Sequence, residues 1–226
     1  MSRQDRKKIP EGEPLPRGRH GLPPEVVRTS QRDRLIQAML LLVAARGYAA
    51  TTVPDVIAAA RVSRNAFYAN FHDKEACFLA LCERDLPGVV ETILAAAEDT
   101  GHDWVAAVRQ GLHAYLRWWQ DRPEYARAYF VELPAAGRRA MDQRDRAYLP
   151  FLEMLRALAA RARAETPSRG PVRESVPALI VFGVTEFIAA EVRAGNAERL
   201  SALEEDVLHY TVTLLADRAT ADRALG

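Results

Sequence analysis

The sequence predicts an all-α protein, with a small N-terminal domain of three helices followed by a larger helical bundle. Ala, Leu, Arg and Glu dominate the 226 residues, and these residue types favour helix over sheet. Apolar side chains recur at helical spacing through most of the chain. Ser, Thr or Asp stands before many of these segments, as at helix N-termini. No stretch has the pattern of a strand, and no internal repeat is visible.

Composition and charge limit the classes of function. The net charge of +1 does not by itself indicate a nucleic-acid partner, so only a local group of basic residues could indicate one. Cys77 and Cys82 fit no CxxC site, and we expect reduced thiols in a cytoplasmic protein. The chain has no run of about 18 apolar residues, and its charged start lacks the apolar segment of a signal peptide. We therefore expect no membrane partner.

Residues 1–29 are expected to form a flexible basic arm. Seven Lys or Arg residues and four acidic residues stand among prolines, and such a composition does not build a packed core. Two interpretations stay open for this segment: a solvated tail, or an arm that follows the DNA backbone or enters a minor groove.

The first helix is expected to begin at Ser30, which forms a capping-box-like pair with Asp33. Apolar side chains follow at helical spacing, and Gly47 ends the helix as a glycine just past a C-terminus does. Residues 30–84 are predicted to form the small N-terminal domain, including the start of a connecting helix.

Two short helices follow in the stretch YAATTVPDVIAAARVSRNAFYANFHDKE at 48–75. Thr52 opens the first helix, with Asp55 three residues later, and Ser63 opens the second helix. Helices of about eight residues are unstable alone, so we expect both to pack on the first helix and on each other. A tight turn between two short helices is typical of a helix-turn-helix, whose second helix enters the major groove of DNA.

The second short helix has one apolar and one polar face. Phe67 and Phe71 are expected to face inward. The opposite face presents Arg64, Asn65, Tyr68, Ala69 and Asn70. Arginine pairs with guanine, and asparagine with adenine, through two hydrogen bonds each. Lys74 begins the next helix, where free backbone N–H groups favour an anion. A polar face turned to solvent explains the same spacing, so the pattern alone leaves both interpretations open.

The segment GYAATTVPDVIAAARVSRNAFYANFHDKEACF resembles the DNA-binding signature of the TetR family of bacterial transcriptional regulators. The similar features are the Gly-aromatic helix end, the Thr-Thr start, the Val-Ser turn, the aromatic-Tyr pair and the Lys-Glu start of the fourth helix. The resemblance covers residues 30–81. The stretch LPRGRHGL at 15–22 is also similar to the basic arm of actinobacterial members.

The resemblance implies roles for individual residues. Thr52, Tyr68 and Lys74 match positions that hold DNA phosphates, and Arg64 and Asn65 match positions that usually read bases. The complete set of candidate DNA-binding residues is Thr52, Ser63, Arg64, Asn65, Tyr68, Asn70 and Lys74.

Several positions depart from the family pattern. Arg61 stands where the turn usually has glycine, and a left-handed arginine there costs about 1 kcal/mol. Asn65 replaces a common glycine, Ala66 a common threonine and Asn70 a common histidine. These departures concern the operator sequence that is read, and leave the motif intact.

Residues 85–226 are predicted to form a helical ligand-binding and dimerisation domain. Turn signals divide this domain into helices near residues 87–99, 103–120, 123–133, 136–164, 174–194 and 201–217. Ser201 and Glu204 have the spacing of a capping box for the last helix.

The last two helices, within residues 174–217, are candidates for a homodimer interface. The segment VPALIVFGVTEFIAAEV at 176–192 is apolar nearly all round, as in a helix that is buried on most sides. The last helix has an apolar stripe of its own, so the pair fits a four-helix interface between two chains. The family resemblance implies the same dimer, and closure of the core within one chain is the alternative.

The middle helices carry most of the aromatic residues, which belong mainly to the core. An apolar cavity with a few polar groups is also how small-molecule sites are built. The resemblance implies an effector site here, for a small molecule that the sequence does not identify. The candidate ligand-binding residues are Trp104, His113, Trp118, Tyr125, Tyr129 and Glu132. His113 and Glu132 are equally well explained as paired or exposed side chains.

The predicted function is that of a sequence-specific, dimeric transcriptional repressor that binds a palindromic operator in double-stranded DNA and is released by an effector. An architectural protein that coats DNA without sequence preference is one alternative. An all-helical enzyme is another, but HExxH, GxSxG, a Gly-rich phosphate loop and a metal-spaced His/Cys cluster are missing from the sequence. We therefore expect no catalytic residue, no metal and no cofactor.

Overall fold

The computed structural model describes residues 23–98, 100–101, 103–165 and 171–225. Every regular element within these ranges is helical, which confirms the all-α prediction. The chain divides after Leu81 into two compact units, and each is described by itself. Most of the predicted basic arm, residues 1–22, lies outside the described residues.

Helix α1 spans Pro24–Arg46, so it begins before Ser30, where the sequence predicted its start. Proline is accepted in the first turn because its missing N–H would have no partner there, and Glu25 lies at the positive end of the helix dipole. The prediction of a cap at Ser30 was therefore wrong. Gly47 ends α1 with a positive φ of 85°, and its N–H donates to the Val43 carbonyl oxygen at 2.9 Å.

Helices α2 (Val53–Ala60) and α3 (Arg64–Asn70) pack on α1 and on each other, as predicted. Both are capped: the Asp55 N–H donates to Thr52 Oγ1, and the Ala66 N–H donates to Ser63 Oγ at 3.1 Å. The buried side chains of this unit include Leu35, Met39, Val43, Val56, Phe67, Phe71 and Phe78. Packing of these apolar faces supplies the stability that helices this short lack alone.

Helix α4 spans Lys74–Glu98 and continues through Pro87, where the sequence predicted a boundary between two helices. Asp73 caps its start, since the Ala76 N–H donates to Asp73 Oδ1 at 2.6 Å. Proline lacks the N–H that would bond the Glu83 carbonyl, so the helix loses one backbone hydrogen bond at this point.

The second unit is a bundle that begins with the last part of α4. Its further helices are α5 (Trp104–Gln120), α6 (Pro123–Arg127), α7 (Arg138–Ala147), α8 (Leu149–Glu165), α9 (Val176–Arg193), α10 (Glu204–Leu215) and α11 (Arg218–Leu225). A π turn at Ala128–Glu132 and a 3-10 turn at Leu133–Ala136 follow α6. The core cluster includes Trp104, Val108, Ile180, Leu208, Val212 and Leu215.

Two predicted elements of this unit differ in the structure. The single helix expected at 136–164 is two helices, α7 and α8, because the chain turns at Tyr148 and Pro150 cannot donate a backbone hydrogen bond there. Ser201 does not cap α10, because it lies in a 3-10 helix at Ala197–Leu203. Its backbone N–H donates instead to Gln120 Oε1 at 2.9 Å, which holds the segment to α5.

Candidate nucleic-acid interface and ligand cavity

The turn between α2 and α3 contains a strained arginine. Arg61 has φ 53° and ψ 46°, and it is the one non-glycine residue with a positive φ in the described part of the chain. This left-handed conformation costs about 1 kcal/mol relative to an ordinary turn. Arg34 of α1 donates from Nη1 to the Ala60 carbonyl oxygen at 3.1 Å and to the Arg61 carbonyl oxygen at 3.4 Å. These bonds tie the end of α2 to α1 and offset the strain.

The start of α2 is fixed by a small polar network. Thr52 donates both its N–H and its hydroxyl to Asp55 Oδ2, and Arg46 forms an ion pair with the same carboxylate. The hydrogen bonds from Thr52, together with the charge of Arg46, lower the pKa of Asp55. Thr52 is exposed, so its backbone position is set by this network while its side chain stays at the surface.

The outer face of α3 carries the predicted base-reading residues. Arg64, Asn65, Tyr68 and Ala69 are exposed there, while Phe67 is buried against α1. Tyr68 is 49% exposed, which is unusual for so large an aromatic side chain. The Arg64 guanidinium carbon lies 5.6 Å from the centre of the Tyr68 ring, within the range of a cation–π contact. The face therefore presents a cation, an amide and a phenol together.

Two other predicted DNA-binding residues are partly engaged in the fold. The Asn70 amide donates from Nδ2 to the Ala66 carbonyl oxygen of its own helix at 2.8 Å. Lys74 Nζ donates to the Tyr48 carbonyl oxygen at 2.9 Å and lies 4.0 Å from the centre of the Tyr48 ring. Burial lowers the pKa of Lys74. An ammonium group has three N–H donors, so two of them remain for a phosphate. Ser63 is exposed and uses its oxygen as the cap of α3.

The second unit contains an apolar cavity of about 290 Å³ that is partly open to solvent. Its walls come from the C-terminal part of α4, from α5, α8, α9 and α10, and from Tyr129 in the π turn. The large apolar residues of the lining include Leu86, Ile93, Leu94, Val108, Leu112, Trp119, Phe151, Met154, Leu155, Leu158, Ile180, Val181 and Val184. Such a cavity with a few polar groups has the usual character of a small-molecule site.

Of the six predicted ligand-binding residues, Tyr129 lies in the cavity wall. The buried Trp104, Trp118 and Tyr125 pack in the interior outside the lining. His113 is exposed and bonds Glu204 Oε2 through Nδ1 at 2.7 Å.

Glu132, the last of the six, lies outside the lining as well and pairs with Arg127 at 3.5 Å.

The other polar residues of the lining, besides Tyr129, were missed in the sequence. They are Tyr115, Tyr148, Arg161, Thr185 and Thr211. Burial raises the pKa of Tyr115, Tyr129 and Tyr148, so all three phenols are uncharged at neutral pH. The helical spacing of these residues was visible in the sequence, but the side of each helix that faces a cavity was not.

The part of the chain that the structure describes has two free thiols and no metal site. No group of His, Cys, Asp and Glu side chains there has the arrangement of a metal site. Cys77 and Cys82 are free and buried, and burial raises the pKa of each thiol to about 12. No described helix has the length and hydropathy needed to span a membrane.

Comparison with known proteins agrees with the helix-turn-helix geometry. Residues 35–81 match the family model of bacterial regulatory proteins of the tetR family. The chain is 38% identical over 53 residues to YerO of Bacillus subtilis (strain 168), an uncharacterized HTH-type transcriptional regulator. That match covers 24% of this chain and 18% of YerO, so the chain spans only a small part of this curated relative in the alignment.

Solved structures are similar over most of the chain. The fatty acid degradation regulator FadR from Bacillus halodurans has a TM-score of 0.70 at 18% identity, covering 82% of this chain and 94% of that chain. FadR from Bacillus subtilis, solved in complex with stearoyl-CoA, also has a TM-score of 0.70, at 16% identity, covering 80% and 97%. A tetR-family regulatory protein from Rhodococcus RHA1 has a TM-score of 0.66 at 17% identity, covering 83% and 97%. These likenesses show the fold of the chain, and the match to the tetR family model covers its helix-turn-helix segment at residues 35–81.

Proposed function

We propose that this protein is a sequence-specific, DNA-binding transcriptional regulator, a dimeric repressor that a small apolar effector releases from its operator. The observation that carries this proposal is the outer face of α3, where Arg64, Asn65 and Tyr68 are exposed together on a helix capped by Ser63. A helix this short has no stability of its own, and its packing on α1 holds it in place as a probe.

The residues of this face have separate roles in the proposal. Arg64 and Asn65 read base edges in the major groove, and Tyr68, Lys74 and the exposed Thr52 contact phosphates. Ser63 and Asn70 complete the surface. Base contacts give sequence preference, whereas phosphate contacts give affinity that falls with salt.

The dimer is proposed to form through α9 and α10, within residues 174–217. Leu179, Phe182 and Phe187 of α9 and Tyr210 of α10 are large apolar side chains that stay exposed in the single chain. Phe182 is 51% exposed and Leu179 is 54% exposed, on helices that otherwise bury their apolar side chains. Exposed apolar patches of this kind mark interfaces, and a two-fold dimer buries the same patch on both chains.

The dimer surface can be tested by sedimentation. Phe182→Glu places a charge in the proposed interface and is expected to convert dimers to monomers. Leu41→Glu is the matched control, because Leu41 is 52% exposed on α1, outside the proposed surface. Dissociation by both variants, or by neither, would contradict the assignment of the interface.

The effector site is proposed to be the cavity of the second unit. Its lining is mainly apolar, and the structurally similar FadR from Bacillus subtilis was solved with stearoyl-CoA. Helix α4 contributes Ile93, Leu94 and Ala97 to the cavity wall and carries Lys74 at its start. Displacement of α4 by a ligand would change the spacing of the two recognition helices, which must match half-sites about 34–36 Å apart.

Selection of bound fragments from genomic DNA tests the proposed function. A palindromic sequence should be enriched, and unlabelled competitor DNA of random sequence should displace it poorly at fixed salt. Equal displacement by random DNA would favour the architectural alternative. We place the protein in the cytoplasm with the chromosome, and we propose no catalytic activity, since the named relatives are described as regulators.

A further inference from the structure

The lining of the cavity in the second unit extends along two helices and has different side chains at its two ends. Helix α8 follows one wall from Phe151 to Arg161, and α5 follows another from Ala107 to Trp119. At the helical rise of 1.5 Å per residue, the stretch of α8 corresponds to about 15 Å. A cavity of about 290 Å³ drawn out along such a length has room for a chain rather than for a compact ring system.

One end of the cavity reaches the surface and is cationic. Arg161 is the one charged residue among the described residues of the lining. Its Nη2 group donates to the Gly101 carbonyl oxygen at 2.7 Å. Ala157, a lining residue one helical turn before Arg161, is exposed, so the cavity meets solvent near Arg161. A guanidinium has five N–H donors, and the bond to Gly101 leaves others for a ligand.

The other end is buried and its lining side chains are uncharged, while the cation Arg144 lies outside the lining, 5.4 Å from the centre of the Tyr148 ring. Tyr148 is 6% exposed and Trp119 is 1% exposed, so side chains seal this end from solvent. Tyr115, Tyr129 and Tyr148 lie close enough to influence one another's pKa, and Thr185 lies beside Tyr148 in the lining. Neutral phenols and a hydroxyl do not compensate a buried charge, and burying an unpaired charge is costly.

The middle of the cavity is lined by aliphatic side chains, including Ile93, Leu112, Leu155 and Val184. We propose that the cavity binds an unbranched amphiphile with one anionic head, which pairs with Arg161 at the open end while its chain lies along α8 toward the tyrosines. This inference rests on the proposed function only in taking the cavity as the effector site. It adds the chemical class and the orientation of the ligand.

Calorimetric titration without DNA tests the inference. Dodecanoate, dodecanol and dodecyltrimethylammonium have the same chain and an anionic, neutral or cationic head. Each is used below the concentration at which it forms micelles. We expect dodecanoate to bind at least about tenfold more tightly than dodecanol, because hydrogen bonds to charged groups are the stronger ones. We expect octanoate and octadecanoate to bind more weakly than dodecanoate, because the cavity has a fixed length.

Variants of one residue assign the head group. Arg161→Gln is expected to weaken dodecanoate binding about tenfold and to leave dodecanol binding unchanged, and Arg161→Lys is expected to retain most of the preference for the anion. Arg163→Gln is the matched control, since Arg163 is exposed on the same helix outside the lining. Thermal unfolding confirms that each variant is folded.

Three outcomes would overturn the inference: equal binding of dodecanoate and dodecanol by the unchanged protein, equal loss of both in Arg161→Gln, or no binding of any amphiphile. Operator binding is measured separately on the same preparations. A protein that binds its operator but no amphiphile keeps the proposed function and loses this inference. A protein that binds dodecanoate but no DNA keeps this inference and loses the proposed function.

Discussion

Lys74 is expected to contribute both to the stability of the fold and to DNA affinity, and the substitution Lys74→Met measures the two contributions. Methionine keeps an apolar stem of similar length but removes the ammonium group. The loss includes the 2.9 Å hydrogen bond to the Tyr48 carbonyl oxygen and the contact with the Tyr48 ring at 4.0 Å. A net hydrogen bond contributes about 1 kcal/mol, and a cation–π contact at a partly exposed site contributes about 0.5–1 kcal/mol.

Burial opposes these two contributions. It lowers the pKa of Lys74, which means that the charged form is partly desolvated in the folded protein. We therefore expect the free energy of unfolding to fall by about 1 kcal/mol. The protein stays folded and can be assayed on DNA, because small domains have about 5–15 kcal/mol of total stability.

On DNA, the same variant should lose one phosphate contact in each subunit. The slope of log affinity against log salt falls by about one unit for each lost contact, so a dimer should lose about two. Affinity should weaken alike for operator and random DNA, because a phosphate contact carries no sequence information. Fluorescence anisotropy at several salt concentrations measures the slope, and chemical denaturation measures the stability.

Arg156→Met is the control for the loss of a positive charge, since Arg156 pairs with Glu153 on α8, outside the helix-turn-helix and outside the proposed dimer surface. An unchanged salt slope in Lys74→Met would refute the phosphate role. A changed preference among operator sequences would refute it as well, because it would make Lys74 a base-reading residue.

Three further predictions concern single residues. Arg64→Ala should relax base preference at one position of each half-site and cost about 1–3 kcal/mol, measured by binding to a set of single-base operator variants. Asp55 has a folded-state pKa lowered from 3.8 by its Thr52 hydrogen bonds, so its stabilising contribution is present above pH 3.8 and is lost as pH falls through the lower folded pKa. Asp55→Asn should remove this part of the acid sensitivity in denaturation at a series of pH values. Gly111→Ala places a Cβ 3.1 Å from Ile93 Cγ2. Its gain in helix propensity of up to about 1 kcal/mol should offset the contact and leave the melting temperature nearly unchanged, while the shift of Ile93 into the cavity weakens dodecanoate binding in calorimetry.

The helix-turn-helix was predictable because its determinants are local. The caps at Thr52 and Ser63, the glycine at 47 and the inward Phe67 all act within a few residues of their own position. Each of these signals has the same meaning in any fold. The sequence also contained Arg61 in place of the usual glycine, and the structure shows that it does adopt the left-handed conformation.

Other features depended on contacts that the sequence does not show. Ser30 and Ser201 both have the spacing of a cap, but one lies inside α1 and the other lies in a 3-10 helix held by Gln120. Pro87 has the local signal of a helix boundary, yet α4 continues through it, in company with the fully buried Val89. At such positions tertiary packing overrides the local preference for a helix end, and the local sequence pattern does not reveal that packing.

The ligand cavity was predictable as a region but not residue by residue. An aromatic-rich bundle indicated a pocket, yet Trp104 and Trp118 fill the core, while Tyr115 and Arg161 face the cavity. Neighbouring positions on one helix differ in this way because a cavity is defined by several helices at once. The sequence does not tell whether a large side chain packs against neighbours on all sides or borders a cavity on one side.

The proposed release from DNA depends on how α4 transmits a displacement. Lys74 lies before Pro87 in this helix, and Ile93 lies after it in the cavity wall. Because Pro87 removes one backbone hydrogen bond, the helix bends most easily near this residue. When a ligand displaces Ile93, part of the displacement bends α4 at Pro87, and the rest moves the start of the helix. Only the second part reaches Lys74. A ligand whose affinities for the DNA-binding and the released states differ by about 1–3 kcal/mol weakens operator binding about 5- to 150-fold. Because α4 bends at Pro87, we expect a response at the lower end of this range.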